Sequence, residues 1–146
     1  MRALGIDLGS KRIGVALSNS DGTLATPFEV VQRSGDRRRD HAAIKALADE
    51  ADAEQLVVGL PLKMDGTKGP AALAALEEVD ELAADTGLPV ATWDERLTTV
   101  TADRDLMAQG LKAGARRRVV DKVAATVMLQ AWLDHQRLTA APEDPS

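Results

Sequence analysis

The chain contains no cysteine and no tyrosine, and its 146 residues include only one phenylalanine and two tryptophans. Without cysteine there is no disulfide framework, no thiolate metal site and no thiol nucleophile, so any homodimer is expected to be weak and not disulfide-linked. With so few aromatics, stacking on aromatic platforms is not expected to dominate any recognition of bases. Long apolar runs are missing too. The longest fall far short of a membrane span, and the residues after Met1 read directly into a strand with no signal peptide, so the expected compartment is the cytoplasm. An excess of positive charge is also absent, since the formal net charge is −5. That argues against a protein coating nucleic acid through a general positive field.

What is present is an ordinary soluble composition, 45% hydrophobic. A chain of this length forms one domain and buries about 70% of its extended surface, so it needs no covalent staple. The expected domain is residues 1–138, followed by a small, acidic, proline-containing tail at 139–146 that reads as disordered. The basic residues cluster at Lys11-Arg12, Arg37-Arg38-Arg39 and Arg116-Arg117-Arg118. A locally positive face on an acidic molecule suits transient, salt-sensitive contact with a phosphate backbone.

Arg2 to Leu8 reads as a strand, and Ile13 to Ser18 as its antiparallel neighbour after the Gly9-Ser10-Lys11-Arg12 turn. A third strand is expected from Leu24 to Gln32, with Pro27 pushing it to a sheet edge. Ile44, Leu47, Ala48 and Ala51 recur at helical spacing within Asp36 to Ala51. Gln55 to Leu60 is a Val-rich central strand, and Leu62 to Pro70 a loop. A helix follows from Ala71 to Asp85, closed by Gly87 with Pro89 beyond. Val90 to Asp94 is a strand, Leu97 to Gln109 a helix, Leu111 to Arg118 a mobile basic loop, and Val119 to Gln136 the last helix. The order βββαβαβαα predicts a mixed five-stranded α/β sheet covered by helices, with ligands gathering at the carboxyl ends of central strands.

Asp7 stands out because aspartate is depleted from strands and an ionised carboxylate inside a sheet is costly. Period-2 alternation puts Gly5, Asp7 and Gly9 on one face against Leu4, Ile6 and Leu8 on the other. The next strand repeats this, with Gly14, Ala16 and Ser18 against Ile13, Val15 and Leu17. The small-residue face around one acid is expected to admit a metal ion and a bulky polyanion. Asp121 falls in line with Ala124, Ala125, Met128 and Trp132 on the apolar face of the last helix. It would sit in the first turn, where the helix dipole helps keep a carboxylate ionised. Asp94 and Glu95 lie where a strand ends and a helix begins, a usual position for reactive groups. Alternation lets only one of the two reach Asp7, and periodicity does not say which.

Three carboxylates on separate elements, without cysteine or a spaced histidine pair, suit hard cations such as Mg²⁺ or Mn²⁺ rather than zinc. A pair of such ions about 4 Å apart would activate water and stabilise the leaving oxygen in a phosphoryl displacement. His41 and His135 read as surface residues, and Trp93 and Trp132 as core fillers. The loop from Leu62 to Gly69 could hold a phosphate with its amides, Lys63 and Lys68. It is not a Walker loop.

Four segments together resemble the YqgF family, also called RuvX. They are Gly5-Ile6-Asp7-Leu8-Gly9-Ser10-Lys11-Arg12-Ile13-Gly14-Val15-Ala16, the run from Val57 to Thr67, Trp93-Asp94-Glu95-Arg96-Leu97-Thr98-Thr99, and Asp121-Lys122-Val123-Ala124-Ala125 with Leu129-Gln130. They occur in family order, and the likeness spans residues 1 to about 138. The resemblance implies an RNase H-like fold, an acidic metal-binding and catalytic triad of Asp7, Glu95 and Asp121, and trimming of the 5′ end of the small-subunit ribosomal RNA precursor. It favours Glu95 over Asp94. Substrate phosphates would be met by Lys11, Arg12, Lys63, Lys68, Arg96, Arg116, Arg117 and Arg118. Relative to the RuvC resolvases, the acid expected just before Gly59-Leu60-Pro61 is absent, so action on branched DNA does not follow from that likeness. Two rivals stand beside this reading. The Asp7-x-Gly9 turn also resembles the first phosphate loop of actin-like ATPases, which need a second subdomain that 146 residues cannot supply. A non-catalytic nucleic-acid-binding module is the other, although such modules tend to lose acids that this chain keeps.

Overall fold

A computed structural model describes residues 2–97 and 122–139 in full, and residues 113–121 by their backbone. Five strands, β1 (Ala3–Leu8), β2 (Arg12–Ser18), β3 (Ala25–Gln32), β4 (Gln55–Leu60) and β5 (Val90–Asp94), form one mixed sheet in the order β3-β2-β1-β4-β5. β1, β2 and β3 are antiparallel neighbours, while β4 runs parallel to both β1 and β5. The meander therefore forms one half of the sheet and the parallel crossovers the other. Pro27 lies on edge strand β3 as its missing N–H requires, beside a bulge opposite Val15 and Ala16.

The apolar alternation read in β1 and β2 divides the core into two layers. Leu4, Ile6, Ile13 and Val15 face Ile44 and Ala48 of α1 (Arg37–Glu50) and Val79 and Leu82 of α2 (Pro70–Thr86). The opposite face packs against α3 (Ala113–Thr139) through Ala124, Ala125, Met128 and Leu129. Trp93 and Trp132 are both buried in this second layer, as expected of core fillers. Asp36 caps α1 by accepting from the amides of Arg38 and Arg39. Gly69 and Pro70 open α2, and Gly87, at φ +71°, closes it. Gln130 ties α3 to the edge strand, its Oε1 accepting from the Ala25 amide at 2.8 Å.

Several expectations need correction. The basic stretch read as a loop at Leu111 to Arg118 is helical from Ala113 onward, so Arg116, Arg117 and Arg118 lie on α3. Ala and Arg are strong helix formers, and Gly114 falls in the first turn, where glycine does little harm. Asp121 is consequently two turns inside the helix, and the dipole argument made for it lapses, because that effect fades within the first turn. Thr139 ends the helix rather than starting the tail. The helix expected from Leu97 to Gln109 lies outside the described residues beyond Leu97, which closes a short 3-10 turn (Glu95–Leu97). Among the described residues no helix is long and apolar enough to cross a membrane.

Candidate active site

The small-residue face of β1 and β2 does not stay open along its length. A Cβ placed on Gly5 would lie 2.7 Å from Leu129 Cβ and 3.1 Å from the Ala125 carbonyl oxygen. Its bareness admits α3, which corrects the expectation that this whole face receives a ligand. Among the described residues, the end carrying Asp7 and Gly9 borders space. There a cavity of about 570 Å³ is lined by Asp7, Gly9, Gly59 and Glu95, with Arg33, Arg37 and Glu78 on its helical side. It sits at the carboxyl ends of β1 and β4, where ligands are expected in an open α/β sheet.

Glu95 reaches this cavity because β4 leaves room for it. A Cβ on Gly59 would lie 2.6 Å from Glu95 Oε1 and 3.0 Å from its Cγ, so any side chain there would push the carboxylate from this position. The neighbouring acid is turned elsewhere. Arg96 Nη2 donates to Asp94 Oδ2 at 2.6 Å and its Nε to Oδ1 at 3.0 Å, while the Arg96 amide donates to Oδ1 at 3.0 Å. Hydrogen bonding from Arg96 holds the Asp94 carboxyl below the usual aspartate range, and Asp94 in turn raises Arg96. Alternation left the choice between the two acids open; the cavity contains Glu95.

Arg96 is thus occupied. Its Nη1 also donates to the Met64 carbonyl at 3.3 Å and passes 3.2 Å from where a Gly66 Cβ would be. Gly66, at φ +89°, takes a conformation that side chains disfavour, and the loop turns there through bonds from Gly66 N to Lys63 O and from Lys63 N to Thr67 O. The Thr67 hydroxyl and then its amide, both donating to Asp65 Oδ1, pull the Asp65 carboxyl down. Lys63 and Lys68 are exposed on this loop. Lys11 is exposed in the β1–β2 turn, and Arg12 is half-buried at the start of β2. The position of Asp121 on α3 precedes Ala124, Ala125 and Met128, all buried against the sheet, by the three, four and seven residues that share a helical face. Its side chain, and those of Arg116, Arg117 and Arg118, lie outside the described residues.

The residues fit a hard cation. Besides Glu78, which Arg33 holds, the carboxylates of Asp7 and Glu95 line one open cavity from different elements, and Gly59 is bare where Glu95 enters. Among the described residues no group of three acidic, histidine or cysteine side chains is arranged to hold a metal ion.

Arg33 and Glu78, which the sequence reading passed over, form the cavity's helical wall. Arg33 Nη1 and Nη2 donate to Glu78 Oε2 and Oε1, each at 2.9 Å. His41, read as a surface residue, is fully buried. Its Nε2 lies 2.8 Å from Glu78 Oε2 and its Nδ1 2.7 Å from Asp85 Oδ2. Burial alone would raise the Glu78 carboxyl, but hydrogen bonds from Arg33 and His41, with the charges of Arg33 and Arg37, bring it below the ordinary glutamate value. A signal was available, because His41 aligns with Ile44 and Ala48, and Glu78 with Ala75 and Leu82. Each is a polar group on an apolar stripe. His135 is exposed as expected, edge-on to Trp93 with ring centroids 5.4 Å apart.

Comparison with known proteins adds an independent line. A family model described as "RuvX: Holliday junction resolvase" matches residues 1–135. A protein of Myxococcus xanthus (strain DK1622) named "Putative pre-16S rRNA nuclease" is 44% identical over 137 residues, which is 94% of this chain and 90% of that protein. One of the same name from Mycolicibacterium paratuberculosis is 48% identical over 138 residues, 93% of this chain and 81% of the other. Among solved structures, T. thermophilus RuvC in complex with a Holliday junction substrate aligns at a TM-score of 0.59 and 22% identity, covering 98% of this chain and 99% of that one. That likeness is one of fold, and the fold is RNase H-like.

Proposed function

The chain belongs to the RuvX family, and from that premise we propose that it is a metal-dependent nuclease that hydrolyses phosphodiesters in the 5′ region of the small-subunit ribosomal RNA precursor, in the cytoplasm. The observation that carries this reading is the meeting of Asp7 and Glu95 in one cavity, with Gly59 bare beneath Glu95.

Asp7 and Glu95, joined by Asp121 from α3, are the residues that would hold Mg²⁺ or Mn²⁺. Two such ions supply Lewis acidity at the phosphate and ease deprotonation of the attacking water. The chain's own part is positional. Gly59 sets where the Glu95 carboxylate enters, and Arg96 draws Asp94 aside and pins the 61–69 loop through the Met64 carbonyl. Lys63 and Lys68 on that loop, and Lys11 and Arg12 on the β1–β2 turn, meet substrate phosphates from two sides of the cavity. Arg116, Arg117 and Arg118, whose backbone lies on α3, would add further phosphate contacts. Arg96, held by Asp94, orients the loop more than it offers charge.

The test is a cleavage assay in Mg²⁺ and in Mn²⁺ with single-stranded RNA, precursor ribosomal RNA and a four-way DNA junction side by side. Asp7→Asn, which preserves shape, is expected to abolish cleavage with its melting midpoint nearly unmoved. Unchanged turnover by that variant would remove Asp7 from the chemistry. Preferential cutting of the junction would replace the RNA substrate with branched DNA, and binding without cleavage in any metal would favour a non-catalytic module.

A further inference from the structure

We infer that Glu78 is a positioning residue for this hydrolysis, acting through Arg33 on the turn that follows Asp7; the inference rests on the nuclease reading above. Arg33 grips that turn twice. Its Nε donates to the Gly9 carbonyl at 2.7 Å, and its own amide donates to the Lys11 carbonyl at 2.9 Å. The turn is tight, with the Gly9 amide donating to the Arg12 carbonyl at 3.0 Å. A Cβ on Gly9 would come within 2.4 Å of that same oxygen. Asp7 is two residues upstream on β1, in register with Gly14 of β2. The position of this turn therefore sets how the Asp7 end of β1 faces the cavity, and it also carries Lys11 and Arg12.

Glu78 in turn fixes Arg33. Its two oxygens accept the guanidinium fork, a planar match that specifies direction as well as distance. His41 holds Oε2 from behind and is itself held by Asp85. The line from Gly9 through Arg33, Glu78 and His41 to Asp85 ties the β1–β2 turn to α1 and α2. A buried ionic network of this kind adds little stability over well-packed apolar side chains, whereas its fixed geometry selects one arrangement. Arg33, Glu78, Gly9 and Asp7 all line the same cavity, so this arrangement is selected beside the carboxylates.

The test uses the full-length chain with two conservative variants. Glu78→Gln keeps shape and an acceptor but loses the charge, and Arg33→Lys keeps the charge but loses the fork and the bond to Gly9. Asp49→Asn, which removes the exposed pair between Lys45 and Asp49 on α1, away from this line, is the control. Amide hydrogen exchange is read at Gly9 and Arg33, the two donors in the brace, against Val57 and Val58 in β4. Cleavage of the RNA substrate in Mn²⁺ is read as kcat and KM separately, and Mn²⁺ affinity by calorimetry. Expected for both variants is a rise in exchange at Gly9 and Arg33 at least tenfold larger than any rise at Val57 and Val58, a kcat about tenfold lower, KM within twofold, and weaker Mn²⁺ binding. The control should match the wild type. An equal rise at Val57 and Val58 would mean that the network serves only global stability, and the inference is overturned. It is equally overturned if kcat falls without a change at Gly9, or if Gly9 loosens while kcat and Mn²⁺ affinity hold. Should the wild type cleave nothing, the nuclease reading fails on its own, and exchange with Mn²⁺ affinity still decides whether Glu78 sets this turn.

Discussion

Replacing Gly59 by alanine separates the site from the fold more cleanly than removing a carboxylate. The new Cβ would lie 2.6 Å from Glu95 Oε1, where ordinary contact begins at 3.4 Å, so the oxygen must retreat by about 0.8 Å. The atoms in the way all belong to one side chain, Oε1 most of all and Cγ and Cδ at 3.0 and 3.1 Å, so its swing aside costs the fold little, and alanine restricts the unfolded chain by about 0.4–1 kcal/mol more than glycine. These effects oppose each other, and the melting midpoint should stay within about 2 °C of wild type. Catalysis has no such tolerance. Misplacing a group by about 1 Å can cost about 10²-fold in rate, which corresponds to about 2.7 kcal/mol of transition-state stabilisation. We therefore expect Gly59→Ala to remain folded, lose between one and two orders of magnitude in kcat, and need more Mn²⁺ for half-maximal rate. Steady-state cleavage across a Mn²⁺ series, with a thermal melt of the same sample, measures both sides. A folded Gly59→Ala protein turning over within threefold of wild type would show that the Glu95 position does not matter, and the assignment of Glu95 would fall.

Other perturbations address separate links. Gly5→Ala puts a Cβ 2.7 Å from Leu129 Cβ and 3.1 Å from a helix carbonyl; the neighbour there is α3 itself, so it should lose about 1–3 kcal/mol of stability, read as a lower melting midpoint with kcat kept at temperatures where it stays folded. The Glu78 carboxyl lies below its ordinary value in the folded chain. Its contribution is therefore complete above about pH 4.3, the unfolded glutamate value, and is lost as pH falls through the lower folded value. Melts between pH 2 and 6 should show a shallower acid limb for Glu78→Gln than for wild type, and coincident limbs would refute the linkage. Replacing Arg116, Arg117 and Arg118 together by alanine should flatten the salt dependence of RNA binding. Three consecutive helical positions spread over about 200° of circumference, so one or two phosphate contacts should go, at about 0.7 in log–log slope each for a single strand. An unaltered slope would take this part of α3 off the contact surface.

The sheet was legible because its physics is local. Alternation of Leu4, Ile6 and Leu8 with Gly5, Asp7 and Gly9, the turn residues that follow, and a Val-rich run at β4 each report a strand without reference to the rest of the chain. Pro27 reported an edge for the same reason. The start of α3 misled because Gly114 among arginines looks like a loop, although the arginines and alanines around it favour a helix. The line from Arg33 to Asp85 was half legible. Helical spacing sets His41 and Glu78 on apolar stripes of two helices, which is the rule that singled out Asp121, yet their pairing joins positions 37 residues apart, and only the packing of α1 on α2 creates it.

The glycines show where sequence reading reaches its limit. Gly5 and Gly59 lie on paired parallel strands, and each is bare because a Cβ would meet another group at less than 3 Å. Composition and period treat them alike. What separates them is the identity of the neighbour: Leu129 and the Ala125 carbonyl at one, the Glu95 carboxylate at the other. A missing side chain on a sheet face shows that something comes close, while the approaching group determines whether the space serves packing or chemistry. In this fold the boundary runs across the same small-residue face, with α3 covering Gly5 and the cavity opening at Asp7. The glycine nearer the strand's start should therefore tolerate alanine in its rate but not in its melting, and the one at the end of β4 should do the reverse.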